Sequence, residues 1–263
     1  MKTPDALFVC EPDSDPYYNM ACDAALFGLL AGTVQEFSAV LRLYSWGHPA
    51  ITVGYNQDIS RALDVTKVEK ELPVIRRITG GRAIYHDRSE ITFSLTLRAD
   101  KFQTGVGNIS KMNTMISEVL VKVLNSHGIA AEWRRHSDDK FKRFGPTRIG
   151  ACFASVSRYE IVSHGVKIVG GAQRQSGGSF IHQGSVKLNG IASHPALDSM
   201  NIGASKPHEN DNIILISDIK EAFIRSFSRR FQCGFDEGEF PPKLADAIKV
   251  EEKKLRQNPL LDK

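Results

Sequence analysis

At 263 residues, 41% hydrophobic and 24% charged, the chain is long enough for a full apolar core, and its composition excludes a disordered, fibrous or collagen-like protein. A net charge of +4 is mild, no apolar run approaches a membrane span, and the opening MKTPDALFVCEPDSDPYY lacks the apolar stretch of a signal peptide. Four cysteines, Cys10, Cys22, Cys152 and Cys233, form no CxxC pair of the kind that binds metal, so no metal site is expected, and their sparse use suits the cytoplasm.

Taken in order, DPYYNMACDAALFGLLA (15–31) predicts a first helix, with Met20, Ala24, Leu26, Phe27 and Leu30 at helical spacing and Gly32 as its stop. AVLRLYSW (39–46) alternates as a strand, and ITVGY (51–55) is a second, short one. A short helix around Val65–Leu72 leads to the strand PVIRR (73–77). That strand runs into Thr79-Gly80-Gly81 and restarts at Arg82 or Ala83, and ITFSL (91–95) alternates again. Adjacent glycines permit positive φ and a close approach of ligand to backbone; alone, they equally describe a bulge. Asn108–His127 predicts a strong amphipathic helix capped by Asn108 and Gly128, and AAEWR (130–134) a strand.

Residues 134–148 are rich in Lys and Arg, a pattern that fits an acidic partner or a solvated loop. Nucleic acid is not an expected partner. Residues 194–212 read as a long loop, followed by helices from Ser217 or Asp218 to Phe231 and from Pro241-Pro242 onward. Strands dominate 39–97 and 150–190 without regular βαβ alternation. The expected class is therefore α+β, with a mixed or antiparallel central sheet covered by helices.

The block 150–188 carries the chemistry. Cys152 is followed fifteen residues later by Lys167, which lies between two strand-like runs and just before Gly170-Gly171. A thiolate is a strong nucleophile, and an ammonium beside it lowers the thiol pKa, so the pair points to acyl transfer. The plainer reading is a buried apolar thiol and a hairpin lysine near Glu160.

Four segments in the same order resemble the biotin/lipoate protein ligase catalytic domain superfamily. DPYYNMACDAAL is similar to its opening helix, LRLYSWGHPAITVGYNQ to its first hairpin, RRITGGRAIYHDRSEITFSL to its glycine-loop motif and GVKIVGGAQRQ to its lysine motif. Within it, Arg82 in the glycine loop, Cys152-Phe153 before SRYEIV, and GSFIHQGSVKL after the lysine motif resemble the cysteine-dependent, ligase-like octanoyltransferases. Two positions depart from that pattern: Ala151 stands where proline is common, and Gly171 where serine or alanine is common.

The resemblance implies a single catalytic domain over 1–263 with a smaller second sheet and a helical C-terminal tail from about 241. It implies transfer of an octanoyl group from acyl carrier protein to a lysine of a lipoyl-carrying protein, such as glycine cleavage H protein. No cofactor, membrane or nucleic acid is implied, and the expected state is a monomer. Cys152 would be the nucleophile and Lys167 its ammonium partner and oxyanion donor. Substrate contacts are expected from Arg77, Gly80, Gly81, Arg82, Ala83, His86, Gly170, Gly171 and Ala172. Arg77 and Arg82 read equally as a surface pair, and His86 as a satisfied structural histidine. Of His182 and Gln183, strand alternation lets only one face the site. Arg134, Arg135, Lys140, Lys142 and Arg143 are expected to dock the acidic carrier. The alternatives are an ATP-dependent lipoate or octanoate ligase and an amidotransferase between lipoyl domains.

Overall fold

The computed structural model describes residues 6–31, 37–102, 108–134, 160–187, 194–197 and 215–261. An eight-stranded sheet is built from β1 (Ala6–Ser14), β2 (Ala39–Trp46), β6 (Glu90–Arg98), β7 (Ala131–Arg134), β8 (Glu160–Ser163), β9 (Val166–Ser176), β10 (Ser179–Lys187) and β11 (Phe235–Glu237). Its strand order is β11-β1-β2-β6-β10-β9-β8-β7. β1 runs parallel to both β11 and β2, and the pairs from β2 through β7 are antiparallel. A smaller sheet holds β3 (Ala50–Val53) between β4 (Val74–Arg76), parallel to it, and β5 (Ile84–His86), antiparallel to it. The expected α+β class with a mixed large sheet and a small one is the observed architecture.

Alternation divides the large sheet into two faces. Leu41, Leu43, Phe93, Leu95, Leu97, Phe180 and Val186 point to one side. There they meet α3 (Ile109–Ser126) and α4 (Ile216–Phe231), whose apolar stripes include Met112, Ile116, Leu120, Phe223 and Phe227. Asn108 caps α3 as expected, its side-chain oxygen accepting from the Lys111 amide at 3.0 Å. α4 begins at Ile216, where the Asp218 carboxylate accepts from the Leu215 amide at 2.8 Å.

α1 (Pro16–Ala31) covers part of the opposite face. Asp15 accepts from the Tyr17 and Tyr18 amides at its start, and Pro16 has no amide hydrogen to satisfy there. α5 (Pro242–Gln257) packs on α1, burying Leu244 and Ile248 beside Leu26, Leu30 and Val40. The connection from β3 to β4 differs from expectation. A short helix α2 (Ile59–Ala62) and a 3₁₀ turn at Val65–Lys67 replace one helix, each started by an aspartate side chain, Asp58 and Asp64.

Candidate active site

The small sheet faces the α1 side of the large sheet, and a narrow cleft runs between them. Thr52, Arg77, Gly81, Ile84 and His86 line it from the small sheet and its glycine loop. Tyr44, Trp46, Thr92, Gln183 and Ser185 of the large sheet form the opposing wall, with Gly170, Gly171 and Ala172 from β9 and Met20 from α1. The space between the lining atoms, mouth included, is about 410 Å³.

The glycine loop is held from below by Arg77. This residue is 4% exposed, so the surface-pair reading is corrected: its guanidinium is an internal brace. Its Nε donates to Gly80 O at 3.1 Å and its Nη2 to Gly80 O at 2.5 Å and Arg82 O at 2.8 Å. Gly81 has φ +90°, and a Cβ there would lie 2.8 Å from Arg77 Nη2. Only glycine lets the loop turn this way against the guanidinium. Gly54 fits as closely from the neighbouring strand end, since a Cβ on it would fall 2.1 Å from Gly81 O.

Beneath the cleft lies a buried polar lattice. The side-chain oxygen of Gln183 accepts from Thr79 Oγ1 at 2.6 Å, and its amide donates to Asp23 Oδ2 at 2.6 Å. Asp23 also accepts from Arg42 Nη1 at 2.7 Å, Tyr44 OH at 2.9 Å and Ser94 Oγ at 2.6 Å. A second cluster centres on Glu90. Its carboxylate accepts from His86 Nδ1 at 2.7 Å, Thr92 Oγ1 at 2.7 Å, Ser185 Oγ at 2.9 Å and the Lys187 ammonium. Burial alone would raise the Glu90 pKa, but His86 and Lys187 hold it down to about 2. Burial pushes the His86 pKa down. Its ring stacks on Trp46 with centroids 4.0 Å apart.

Lys167 is not among the residues lining the cleft, but an irregularity puts it on the same face of the sheet. Ile161 pairs with Val169 but Val162 pairs with Lys167, so Ile168 is an extra residue in β9. This bulge reverses the alternation: Val169 packs in the core with Ile161, and Lys167 stands on the face that carries Gly170 and Ala172. Its side chain is 3% exposed and its Nζ donates to Glu160 Oε1 at 2.5 Å.

Of the residues expected to contact substrate, Arg77, Gly81, His86, Gly170, Gly171 and Ala172 line the cleft. Gly80 and Arg82 contribute carbonyls to the Arg77 brace, whereas Ala83 is buried with Ile51, Val53 and Leu63 beneath the small sheet. Ala83 is therefore corrected from a cleft wall to a core residue. His86 is a satisfied histidine that also lines the cleft, with Thr52 Oγ1 2.7 Å from its Nε2. Gln183 faces the cleft, while His182 faces the core and stacks on Phe93 at 5.4 Å. Cys152 and the basic residues Arg135, Lys140, Lys142 and Arg143 lie outside the described residues, and Arg134 ends β7. The sequence reading missed Met20, Tyr44, Trp46, Thr52, Ile84, Thr92, Gly184 and Ser185 as cleft residues. Each is an ordinary core or strand residue by type, so only the facing of the two sheets distinguishes it.

The model of the lipoyl protein ligase A/B catalytic domain matches residues 15–212. The chain belongs to that family. It is 38% identical over 176 residues to the octanoyltransferase LipM of Moorella thermoacetica, a stretch covering 66% of this chain and 62% of that protein. The chain thus spans a little under two thirds of the length of this relative. It is 29% identical to the octanoyltransferase LipM of Staphylococcus epidermidis over 95% of this chain and 92% of that protein. The fold of this lipoyl protein ligase family member is similar to that of the putative lipoate protein ligase Ta0514 of T. acidophilum with bound lipoic acid. There the TM-score is 0.72 and the identity 20%, over 95% of this chain and 94% of that one.

Proposed function

We propose that this protein transfers an octanoyl group from octanoyl-acyl carrier protein to a lysine of a lipoyl-carrying protein, in the cytoplasm. The observation that carries the reading is the similarity to an octanoyltransferase LipM along 95% of the chain. The cleft supports it, because its walls include glycines, Ala172 and the apolar bodies of Met20, Tyr44, Trp46 and Ile84 beside its polar residues. Each methylene buried there contributes about 0.8 kcal/mol, so an eight-carbon chain gains several kcal/mol from burial.

In this reading the Cys152 thiolate attacks the thioester carbonyl, and the carrier's thiol leaves. The acyl group then sits on Cys152 as a new thioester. The acceptor's amine attacks that carbonyl, an amide forms, and the Cys152 thiol is released. Exchange between thioesters is nearly balanced and amide formation runs downhill, so ATP is not consumed. Lys167 supplies positive charge to the thiolate and to the oxyanion, and its Nζ donates to Glu160 Oε1 at 2.5 Å. Residues of 134–148 offer the acidic carrier a basic landing place.

The test combines purified protein, octanoyl-carrier donor and apo acceptor without ATP. Transfer, together with one octanoyl adduct on Cys152 by mass spectrometry, is expected. Cys152→Ala should abolish both, and Lys167→Ala should slow adduct formation by about a hundredfold or more, as loss of an oxyanion donor does. Activity only with free octanoate plus ATP would replace this reading by a ligase.

A further inference from the structure

The Glu90 cluster and the Arg77 brace share one residue, Thr52. His86 Nδ1 lies 2.7 Å from Glu90 Oε1, and His86 Nε2 lies 2.7 Å from Thr52 Oγ1. Arg77 Nη1 donates to the same Thr52 Oγ1 at 3.2 Å and to Thr52 O at 3.2 Å. The remaining donors of Arg77 hold the carbonyls of Gly80 and Arg82. A continuous line of hydrogen bonds therefore runs from a fully buried carboxylate to the glycine loop at the cleft.

We propose that Glu90 and Thr52 are positioning residues that set the glycine loop through His86 and Arg77. This rests on the octanoyl-transfer reading only for its activity readout. Ionised Glu90 can only accept, so the proton of neutral His86 belongs on Nδ1. Nε2 is then an acceptor and takes the Thr52 hydroxyl proton. That turns the lone pairs of Thr52 Oγ1 toward Arg77. In the other tautomer the bare Nδ1 would face the Glu90 carboxylate, acceptor against acceptor, and Thr52 Oγ1 would accept from both Nε2 and Arg77 Nη1. Every other group facing His86 keeps the first arrangement: Trp46 stacks on its ring, Thr92 and Ser185 donate to Glu90, and Lys187 ties Glu90 Oε2 to Tyr85 O.

Thr52→Val removes the hydroxyl while keeping the shape, and Thr52→Ser restores it. In hydrogen exchange followed by mass spectrometry, the 78–83 amides of Thr52→Val should exchange about tenfold faster than wild type, with β6 and β10 unchanged. Thr52→Ser should return them to the wild-type rate. A charge-balanced Glu90→Gln/Lys187→Met double variant should loosen the same segment, and in the ATP-free assay Thr52→Val should transfer about tenfold more slowly. Unchanged loop exchange in Thr52→Val, faster exchange spread evenly over the sheet, or no rescue by serine would each overturn the assignment. Wild-type protein that fails to transfer without ATP would overturn the octanoyl reading and leave the exchange result to judge the loop.

Discussion

Three buried titratable residues make this fold sensitive to acid, each for its own reason. His182 stacks on Phe93 in the core, and its Nδ1 has no hydrogen-bond partner among the described residues. Burial pushes its pKa from the ordinary 6.5 to about 3. The folded protein therefore binds fewer protons here than the unfolded chain. The stabilisation is complete above pH 6.5 and is lost as pH falls toward 3. His86 acts with the same sign. Glu90, held at about 2, adds a loss that begins near its ordinary value of 4.5 and runs toward 2. Between pH 6.5 and 5, His182 alone accounts for about 2 kcal/mol. Thermal melts should therefore fall steadily through that range for wild type, and His182→Phe, which keeps the stacking, should flatten the slope. An equal slope in the variant would show that another group carries the acid limb.

At the level of single elements, the bulge in β9 does most to assemble the site. Strict alternation would group Lys167 with Val169, which packs in the core. The extra residue Ile168 separates them, and no residue type in GVKIVGG announces it. The motif resemblance singled out Lys167, but the local reason for its facing was legible only once β8 and β9 were paired. The glycine loop shows the same divide. Gly80-Gly81 was visible as a special turn, whereas Gly54 looked like a neutral strand residue. Its meaning is steric and long-range, because its missing Cβ admits Gly81 O. Gly54→Ala should push the loop away from the cleft, cost about 1–3 kcal/mol of stability, and reduce transfer more than the melt alone accounts for. Comparing urea midpoints with initial rates checks this, and a fully active, stable Gly54→Ala protein would refute it.

For the molecule as a whole, the periodic segments were the readable ones. The first, third, fourth and fifth helices and the strand Ala39–Trp46 lie where their spacing placed them. β1 and β11 were missed for a physical reason. Ala6–Val9 is buried on both faces and shows no alternation, and Phe235–Glu237 has only three residues, held by parallel pairing to β1. α5 was legible as a helix but not as a partner of α1. That contact buries Ile248 at 1% exposure, and Arg256 reaches Asp15 at 2.7 Å while lying over the Tyr17 ring. Ile248→Ala should lower unfolding stability by about 2–4 kcal/mol in a denaturant titration, through the cavity left between the two helices. A loss below about 0.5 kcal/mol, the scale of an ordinary surface change, would mean that α5 adds little to the fold.

The parallel pairing of Ala6 with Phe235 joins segments made at opposite times during synthesis. One border of β1 stays open on the ribosome until the stretch around Phe235 has emerged. Pairing β1 with β11 is a long-range closure, slow by nature, and it leaves that border exposed to aggregation while it waits.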